Sequence, residues 1–462
     1  MKALRDPQNL LTDGLAAIRT QFQVPQGFAQ AVLDAASAAA GRRPGEHVDR
    51  TALPFVTLDP ASSTDLDQAF TIERAGADLL LRYAIADVAW FVTEGDPLDA
   101  EAWKRGTTTY LPDGKASLYP PVLSERAASL LPTGGPRPAV VLSVRVAPDG
   151  AVRLDGVERA LIQSRAKLAY ETARDEDLPD GFADLAMRIA AAEAARGAAR
   201  VDPPEQEVEV DAAGRFTLRF RPQLLAERRN AALSLAANLA VADALQAAHT
   251  GLFRVMPAPA PQAEERLRRT ADAFHLAWPA QVPLAVFERG LDPRDPPSAA
   301  FLLAVRRAGN GASYVPYRQD VVPWHAAMAA TYAHATAPLR RLADRYVLQA
   351  VLAIANGRTV PETVIAAFER LPGAMAKAEA RDGQIERAVI DLAEVALLAG
   401  HEGRAFAATV TDVAENGARI QLHDLPVVAR TRAPGVLPGA RIRVRLDAAD
   451  PVQRRLEFTR LD

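Results

Sequence analysis

The stretch Phe55-Val-Thr-Leu-Asp59-Pro-Ala-Ser-Ser-Thr-Asp65-Leu-Asp67-Gln68-Ala-Phe70 places three carboxylates within nine residues, between two apolar runs. No Lys or Arg lies among them, so their charges repel one another, and folding the segment costs free energy unless a positive charge offsets the crowding. A bound hard cation would supply that charge, and Mg²⁺ takes oxygen ligands of this kind while keeping coordination positions for water and phosphate. The stretch therefore predicts an acidic site between two strands.

The same residues also have an ordinary structural interpretation. The Asp59-Pro60 pair and the following Ser-Ser-Thr sequence are typical of turns and caps, in which side-chain oxygens accept hydrogen bonds from nearby backbone N–H groups. An Asp-x-Asp pair after an apolar strand also occurs in phosphoaspartate-forming phosphatases and in metal-binding glycosyltransferases. By itself the stretch indicates an acidic site and leaves the class of protein open.

Length and composition limit the classes further. A chain of 462 residues exceeds what one core usually organises, so two or three domains are expected. The sequence contains no run typical of a membrane span and no apolar signal-peptide core near Met1. Cysteine is absent, which excludes disulfides and thiolate sites and fits a cytoplasmic protein. A net charge of −3 argues against a surface that is positively charged throughout, so a polyanion would have to bind in a local groove.

Periodicity divides most of the chain into two parts. Residues 1–46 have apolar residues at helical spacing and are predicted to form a small helical domain, either a helix-turn-helix or a hairpin packed on its neighbour. Residues 47–400 begin β-rich and end mostly helical. Within them, the apolar run Leu79–Val92 is typical of a strand buried on both faces. Asp87 is either a capping carboxylate at the end of that strand or a further ligand for the acidic site, and the first interpretation is favoured.

Several boundaries in the second half are predicted from turn residues. Glu205–Val210 and Arg215–Phe220 alternate around Asp211–Gly214 and predict a hairpin. A helix is expected over Leu339–Asn356, and a pair of helices separated at Gly373 is expected after it.

Residues 403–462 form the third part. They contain five short alternating runs separated by turn residues, which predict a small barrel of OB type, a fold that often binds nucleic acid. Arg441, Arg443 and Arg445 alternate along one of these runs and therefore share a face. A basic face on such a barrel favours RNA contact over a merely solvated surface.

Several motifs in a fixed order resemble the ribonuclease II / ribonuclease R (RNB) family of 3′→5′ exoribonucleases. Asp59-x₅-Asp65-x-Asp67 is similar to the acidic signature of that family. Further similar motifs are Arg105-Gly-Thr-Thr-Thr-Tyr110-Leu-Pro, Ser164-Arg-Ala-Lys-Leu-Ala-Tyr170 and Tyr332-Ala-His-Ala-Thr336-Ala-Pro338-Leu-Arg340-Arg341-Leu-Ala-Asp344. The resemblance covers residues 47–400, and the segment from Arg404 resembles the S1 RNA-binding module.

The resemblance implies a fold and an activity. The fold is α+β, with an RNB-type catalytic domain built of a β-sheet core and surrounding helices, a small helical N-terminal domain and a C-terminal OB-fold (S1) barrel. The activity is processive 3′-to-5′ hydrolysis of single-stranded RNA to nucleoside 5′-monophosphates, dependent on Mg²⁺, with Mn²⁺ as a substitute. The expected partner is single-stranded RNA, and the protein is expected to be a cytoplasmic monomer that engages no membrane.

The resemblance also implies roles for single residues. Asp59 and Asp65 would bind metal, Asp67 would bind metal or orient the attacking water, and Gln68 would be a weak fourth ligand. Arg340 would hold the scissile phosphate, although without the resemblance it would be interpreted as a surface arginine.

Three residues are expected to contact RNA bases or the departing nucleotide. Tyr110 and Tyr170 would stack on bases near the 3′ end, and Glu386 would lie near the nucleotide that leaves. Their ordinary interpretations are core tyrosines and a charge on a helix surface.

The chain departs from the family pattern in several places. Gln68 stands where the family usually has a fourth aspartate, so a lower metal affinity is expected. Ala231 and Ala232 stand where the family has a glutamate pair, and Val208 lies near the position of a base-clamping aromatic. Because about 50 residues precede the acidic stretch, the two usual cold-shock barrels are expected to be replaced by the helical segment.

Two other functions remain open at this level. If Gln68 abolishes metal binding, the protein would be an RNA-binding regulator without hydrolytic activity. If the acidic stretch forms a phosphoaspartate, the protein would be a small-molecule phosphatase.

Overall fold

The computed structural model describes residues 2–4, 10–198, 205–210, 216–221, 223–292, 295–309, 311–414 and 417–462. These residues form twenty-one strands and eleven α-helices, together with a π-helical turn over Leu123–Ala127 and a 3₁₀ turn over Asp175–Asp177.

The strands are β1 (Lys2–Leu4), β2 (Val48–Asp49), β3 (Val56–Asp59), β4 (Gln68–Ala75), β5 (Asp78–Ala86), β6 (Thr109–Leu111), β7 (Gly114–Ala116), β8 (Arg137–Val146), β9 (Val152–Ile162), β10 (Ala166–Ala169), β11 (Glu205–Val210), β12 (Phe216–Arg221), β13 (Leu252–Val255), β14 (Ser313–Pro316), β15 (Trp324–His325), β16 (Ala330–Thr331), β17 (Ala405–Ala414), β18 (Gly417–Leu422), β19 (Val428–Thr431), β20 (Arg441–Asp450) and β21 (Arg455–Arg460). The helices are α1 (Leu10–Gln21), α2 (Gln30–Ala40), α3 (Val88–Phe91), α4 (Pro97–Arg105), α5 (Phe182–Ala195), α6 (Leu225–Ala247), α7 (Pro261–Ala273), α8 (Leu284–Arg289), α9 (Pro296–Ala308), α10 (Leu342–Ala355) and α11 (Glu362–Leu398).

A seven-stranded sheet forms the centre of the fold, in the order β10-β3-β4-β5-β8-β9-β2. Its two edge strands, β10 and β2, pair in parallel with their neighbours, and the inner pairs are antiparallel. Eight of the ten residues of β8 are buried, which shows that both faces of the sheet are covered. This is the α+β architecture expected from the sequence.

The apolar run Leu79–Val92 does not form one strand. Strand β5 ends at Ala86, and the remaining apolar residues form the short helix α3. A continuous apolar run has no period that separates a buried strand from a buried helix, so the predicted strand was too long. Asp87 caps this helix by accepting a hydrogen bond from the backbone N–H of Trp90 at 3.2 Å, and its predicted capping role is confirmed.

The two N-terminal helices pack on different parts of the protein. Helix α1 buries Leu11, Leu15 and Ile18 in a cluster shared with α11 and with β12. The buried face of α2 joins the core of the central sheet instead. Each helix therefore shares a core with the residues that follow position 46, and the predicted domain division there stays a prediction.

Two helix boundaries differ from the prediction. Helix α11 continues through Pro372 to Leu398, so the predicted stop at Gly373 is wrong. Proline removes a single intrahelical hydrogen bond, and the burial of Leu371 and Met375 on either side keeps the helix continuous. Helix α10 begins at Leu342 rather than Leu339. Among the described residues, no helix is both long enough and apolar enough to cross a membrane.

The two predicted β-modules are present. Strands β11 and β12 form the expected antiparallel hairpin, and its predicted turn, Asp211–Gly214, lies outside the described residues. The last five strands form a sheet in the order β19-β18-β17-β20-β21 with a hydrophobic core of its own. A hydrogen bond of 2.8 Å from Thr431 Oγ1 to the carbonyl oxygen of Phe458 joins the two edge strands of this sheet, β19 and β21, and nearly closes the barrel. Alternate residues of β20 are exposed, which places the three arginines on one outer face, as predicted.

The hairpin turn between β8 and β9 offers a test of the packing. Gly150 has φ +81°, and a Cβ there would lie 2.3 Å from the carbonyl oxygen of Arg188 in α5. Gly76 has φ +67° in the turn between β4 and β5, but a Cβ there would meet open space. Gly150→Ala should cost the backbone strain of about 1–2 kcal/mol and roughly 1–3 kcal/mol more for the clash, whereas Gly76→Ala should cost only the strain. Urea unfolding measures both, and equal losses would contradict the described contact with α5.

Candidate active site

The acidic stretch is held in place by the buried side chain at its centre. Leu66 is fully buried, its N–H donates to Ser129 Oγ at 2.9 Å, and its carbonyl oxygen accepts from the N–H of Leu130 at 3.0 Å. Asp65 and Asp67, on either side of Leu66, both contact groups outside the acidic stretch. The residues that precede them form the predicted turn, so the turn and the acidic site exist together.

Asp67 connects this stretch to a distant part of the chain. Its side chain is 5% exposed, and its Oδ1 accepts a hydrogen bond of 2.7 Å from the N–H of Leu339, which lies 272 residues away. The Nε of Arg340 lies 3.4 Å from Asp67 Oδ2. The two motifs that the sequence suggested for one site are therefore in direct contact.

The segment that carries Arg340 is fixed through its backbone. Asn238, buried in α6, accepts a hydrogen bond of 2.9 Å from the N–H of Ala335 and donates one of 3.1 Å to the hydroxyl of Tyr332. Asp344 at the start of α10 accepts a hydrogen bond of 2.8 Å from the N–H of Ala337. The predicted helix start at Leu339 was wrong because Arg341 is extended and pairs with Thr107, and the N–H of Leu342 donates to the carbonyl oxygen of Gly106.

The side chain of Arg340 is much freer than its backbone. The carbonyl oxygen of Arg340 accepts a hydrogen bond of 3.0 Å from the N–H of Thr108. The guanidinium side chain, in contrast, is 45% exposed. A guanidinium on a rigid backbone beside buried carboxylates is suited to bind an anion such as a phosphate.

Gln68 is bonded to protein groups at both ends of its amide. Its Nε2 donates to the carbonyl oxygen of Thr336 at 2.6 Å, and its Oε1 accepts from the hydroxyl of Tyr83 at 2.5 Å. It therefore joins β4 to the segment that carries Arg340. An amide oxygen has a second lone pair, so the predicted role of Gln68 as a weak metal ligand stays a prediction.

Asp65 has a cationic partner that sequence reasoning missed. Lys115 Nζ lies 2.7 Å from Asp65 Oδ1, and the hydroxyl of Tyr110 donates to Asp65 Oδ2 at 3.0 Å. Tyr110 and Lys115 face each other in the hairpin formed by β6 and β7. The turn residues Pro112-Asp113-Gly114 would have predicted that Tyr110 pairs with Lys115. A residue that contacts Tyr110 would then also be expected to lie near a lysine.

The two tyrosines predicted to contact RNA lie on different sides of the acidic stretch. Tyr110 is 55% exposed next to Asp65. Tyr170 is half-buried, its N–H donates to the carbonyl oxygen of Asp59 at 3.1 Å, and its hydroxyl accepts from Asn230 Nδ2 at 2.9 Å. Both tyrosines thus lie beside the acidic stretch, and their predicted stacking on RNA bases stays a prediction.

Glu386 lies exposed on α11. One turn before it, Asp382 accepts hydrogen bonds from the hydroxyls of Thr107 and Thr109, at 2.6 Å and 2.7 Å, and so ties α11 to the hairpin that carries Tyr110. The predicted contact of Glu386 with a departing nucleotide stays a prediction.

Comparison with known proteins identifies the family. The family model described as the RNB domain matches residues 47–357. A second, described as the RNase II-type exonuclease C-terminal S1 domain, matches residues 404–461. The chain belongs to the RNB family. The resemblance read from the order of the motifs is thereby confirmed, together with the S1 character of the C-terminal barrel.

Individual relatives are similar along most of the chain. Exoribonuclease 2 of Cronobacter sakazakii is 29% identical over 452 residues, which cover 91% of this chain and 66% of the relative. Ribonuclease R of Aquifex aeolicus is 26% identical and is matched over 87% of this chain and 61% of its own length. The chain therefore spans slightly less than two thirds of these curated relatives.

Solved structures show the same fold. RNase R of Mycoplasma genitalium, in complex with ribose-methylated single-stranded RNA, superposes with a TM-score of 0.86 at 20% identity, over 100% of this chain and 79% of that one. Yeast Ssd1, described as a pseudonuclease, superposes with a TM-score of 0.67 at 16% identity, over 96% of this chain and 59% of that one. At these identities the likeness concerns the fold alone.

Burial raises the pKa values of two carboxyls of this RNB protein. The pKa of Asp59 is raised to about 6 by burial and by the charge of Asp65, against the lowering effect of Arg340 and Lys167. The pKa of Asp67 is raised to about 8, mainly by burial, while Arg340 and the N–H of Leu339 oppose the shift. Crowded, buried carboxylates are groups whose charge a cation would stabilise.

The donor set fits a hard divalent cation in chemistry but is only partly arranged for one. Carboxylate oxygens are the ligands that such ions prefer. Among the residues that the structure describes, however, no three His, Asp or Glu side chains stand together as a metal-binding group. Asp65 is instead paired with Lys115, and Asp67 contacts the N–H of Leu339 and the guanidinium of Arg340.

The raised pKa of Asp67 predicts how stability depends on pH. The folded state keeps the Asp67 proton up to about pH 8, whereas an unfolded aspartate loses it near pH 3.9. The contribution of Asp67 to the free energy of unfolding is therefore complete below pH 3.9 and is lost as the pH rises from there through 8. The amide introduced by Asp67→Asn cannot ionise, and its oxygen can still accept the hydrogen bond from Leu339. In EDTA, this variant should therefore gain stability over the wild type between pH 5 and pH 8, on the order of 1–3 kcal/mol.

Urea unfolding at the two pH values measures this difference. Asp180→Asn, at an exposed carboxylate, gives the baseline for the loss of one surface charge. A wild-type advantage over Asp67→Asn that grows toward pH 8 would show that Asp67 is ionised without cost in the folded protein.

Proposed function

We propose that the protein is a processive, hydrolytic 3′→5′ exoribonuclease that degrades single-stranded RNA to nucleoside 5′-monophosphates with Mg²⁺, for which Mn²⁺ can substitute. The observation that carries the proposal is the contact between Asp67 and the segment of Leu339 and Arg340, which joins an acidic motif to an anion-binding arginine. Relatives named Exoribonuclease 2 and Ribonuclease R support it, as does the fold shared with an RNase R solved in complex with single-stranded RNA.

The carboxylates are assigned to the cation. Asp59, Asp65 and Asp67 would hold it, and the second lone pair of Gln68 Oε1 would be a weak additional donor. When bound, a divalent cation neutralises phosphate charge and lowers the pKa of an attacking water. Asp67 would also orient that water, since its position is fixed by the N–H of Leu339.

Arg340 is assigned to the phosphate. Its anchored backbone and exposed guanidinium allow bidentate hydrogen bonds to two phosphate oxygens without reorganisation of the loop. Hydrolysis places negative charge on these oxygens and on the leaving group, and a fixed guanidinium beside them stabilises it.

The remaining residues would contact a single strand whose 3′ end lies at the acidic site. Tyr110 and Tyr170 would stack on bases of any sequence, which suits a processive enzyme. Glu386 would lie near the departing nucleotide, and the arginine face of β20 on the S1 barrel would bind the RNA backbone further away. We propose that the protein acts as a cytoplasmic monomer.

A second candidate is an RNA-binding protein that does not hydrolyse RNA. It is favoured by Gln68, whose amide is bonded at both ends to protein groups, and by Lys115, which neutralises Asp65. The fold is also shared with a protein described as a pseudonuclease. The phosphatase alternative rested on the Asp-x-Asp pair alone and loses its basis with the family assignment.

Labelled RNA distinguishes the two candidates. Single-stranded RNA labelled at its 5′ end and incubated with Mg²⁺ should shorten from its 3′ end and release nucleoside 5′-monophosphates. Asp67→Asn should nearly abolish this hydrolysis and leave RNA binding in a gel-shift assay unchanged, because it removes a carboxylate that would hold the cation and orient the water and keeps the fold. Tight binding by the wild type without cleavage in either Mg²⁺ or Mn²⁺ would support the regulator, and loss of binding in Asp67→Asn would make Asp67 structural.

Tyr110 allows a separate test of base stacking. Tyr110→Ala should weaken single-stranded RNA binding by about 1–3 kcal/mol, the contribution of one stacked base. Tyr110→Phe keeps the ring and loses only the hydrogen bond to Asp65, so it should bind RNA as the wild type does. Fluorescence anisotropy measures both affinities, and equal losses in the two variants would assign the effect to the hydroxyl rather than to stacking.

A further inference from the structure

Lys115 is held between two carboxylates at the edge of the proposed active site. Its Nζ lies 2.7 Å from Asp65 Oδ1 and 3.0 Å from Glu125 Oε1, and it donates to Thr64 Oγ1 at 3.2 Å. The Lys115 side chain is 19% exposed and that of Asp65 is 9% exposed. The ammonium is thus a positive charge built into the acidic cluster.

The position of Lys115 is set by the fold rather than by a flexible chain. It lies in β7, opposite Tyr110 of β6, and Tyr110 bonds to the other oxygen of Asp65. Glu125 belongs to the π-helical turn over Leu123–Ala127. Strands β6 and β7 and this turn therefore place the Lys115 ammonium between two carboxylates, those of Asp65 and Glu125.

Both oxygens of Asp65 already have partners, since Oδ1 contacts the Lys115 ammonium and Oδ2 accepts from the Tyr110 hydroxyl, so a divalent cation would have to share Asp65 with Lys115. Two cations at the short distances of this site repel each other strongly, because the interaction grows as the distance and the local dielectric constant fall. Glu125 offers the ammonium a second anion at nearly the same distance, so Lys115 can leave Asp65 without losing its charge partner.

We propose that Lys115 competes with the divalent cation for Asp65 and is held by Glu125 when the cation is bound. The inference rests on the proposed function, in which Asp59, Asp65 and Asp67 hold the cation. Lys115 and Glu125 are positioning residues that set the affinity for the ion. While the ion is absent, the Lys115 ammonium stabilises the carboxylate of Asp65.

The proposal predicts opposite effects for the two partners. Lys115→Met removes the competitor and should tighten Mn²⁺ binding by about ten-fold. Glu125→Gln removes the alternative anion and should weaken it several-fold. Lys104→Met is the matched control, because Lys104 is 75% exposed and pairs only loosely with Glu101 within α4, so its removal should leave Mn²⁺ binding unchanged.

Electron paramagnetic resonance of free Mn²⁺, titrated into the metal-stripped full-length protein, measures these affinities without a catalytic assay. The double variant then separates competition from simple attraction by the charge of Glu125. If Glu125 acts through Lys115, Glu125→Gln should have a smaller effect in the Lys115→Met background than in the wild type. An equal effect in both backgrounds would overturn the proposal.

The remaining outcomes are also decisive. Unchanged or weaker Mn²⁺ binding in Lys115→Met, with circular dichroism matching the wild type, overturns the competition and leaves the proposed function standing. Tighter binding in this variant, in a protein that does not cleave RNA, supports the competition and contradicts the proposed exoribonuclease. An absence of Mn²⁺ binding in the wild type and in all variants contradicts both.

Discussion

The contact between Asp67 and the Leu339–Arg340 segment is the constraint on which the rest of the site depends. A carboxylate that is 5% exposed needs hydrogen-bond donors or a positive charge, since burying it without them costs several kcal/mol. The N–H of Leu339 and the guanidinium of Arg340 supply both. The need of one buried carboxylate thus places a motif near the start of the central sheet against a motif near the start of α10.

The surrounding residues turn this contact into a fixed arrangement. Asn238 and Asp344 bind backbone N–H groups of the segment that carries Arg340, and Gln68 binds one of its carbonyl oxygens. Side-chain and backbone bonds therefore restrict the loop on several sides, while the Arg340 side chain stays 45% exposed. A rigid support with an exposed charged group is the arrangement that electrostatic catalysis requires, because little reorganisation is needed when charge develops. In this view Gln68 has a structural task that an aspartate could not perform in the same way, since a carboxylate cannot donate to the carbonyl oxygen of Thr336.

Much of the fold was predictable because its signals are local. The hairpin of β11 and β12, the five strands of the barrel and the outer arginine face of β20 follow from alternation and turn residues. The errors arose where tertiary packing overrode those signals. Pro372 lies inside a continuous helix because buried side chains hold both halves, and α10 begins only at Leu342 because the extended Arg341 pairs with Thr107. Lys115 was missed because its carboxylate partner lies 50 residues away.

The sequence by itself determined the α+β class, the acidic stretch, the family and the candidate residues, since each depends on residue types at short spacing or on the order of motifs along the chain. Only the tertiary structure decided which groups contact those side chains. Asp65 meets Lys115, Asp67 meets Arg340, and both ends of the Gln68 amide are bonded to protein groups. The physical reason is that a charge interacts through space with whatever the fold brings within a few ångströms, and residue spacing along the chain does not specify that distance.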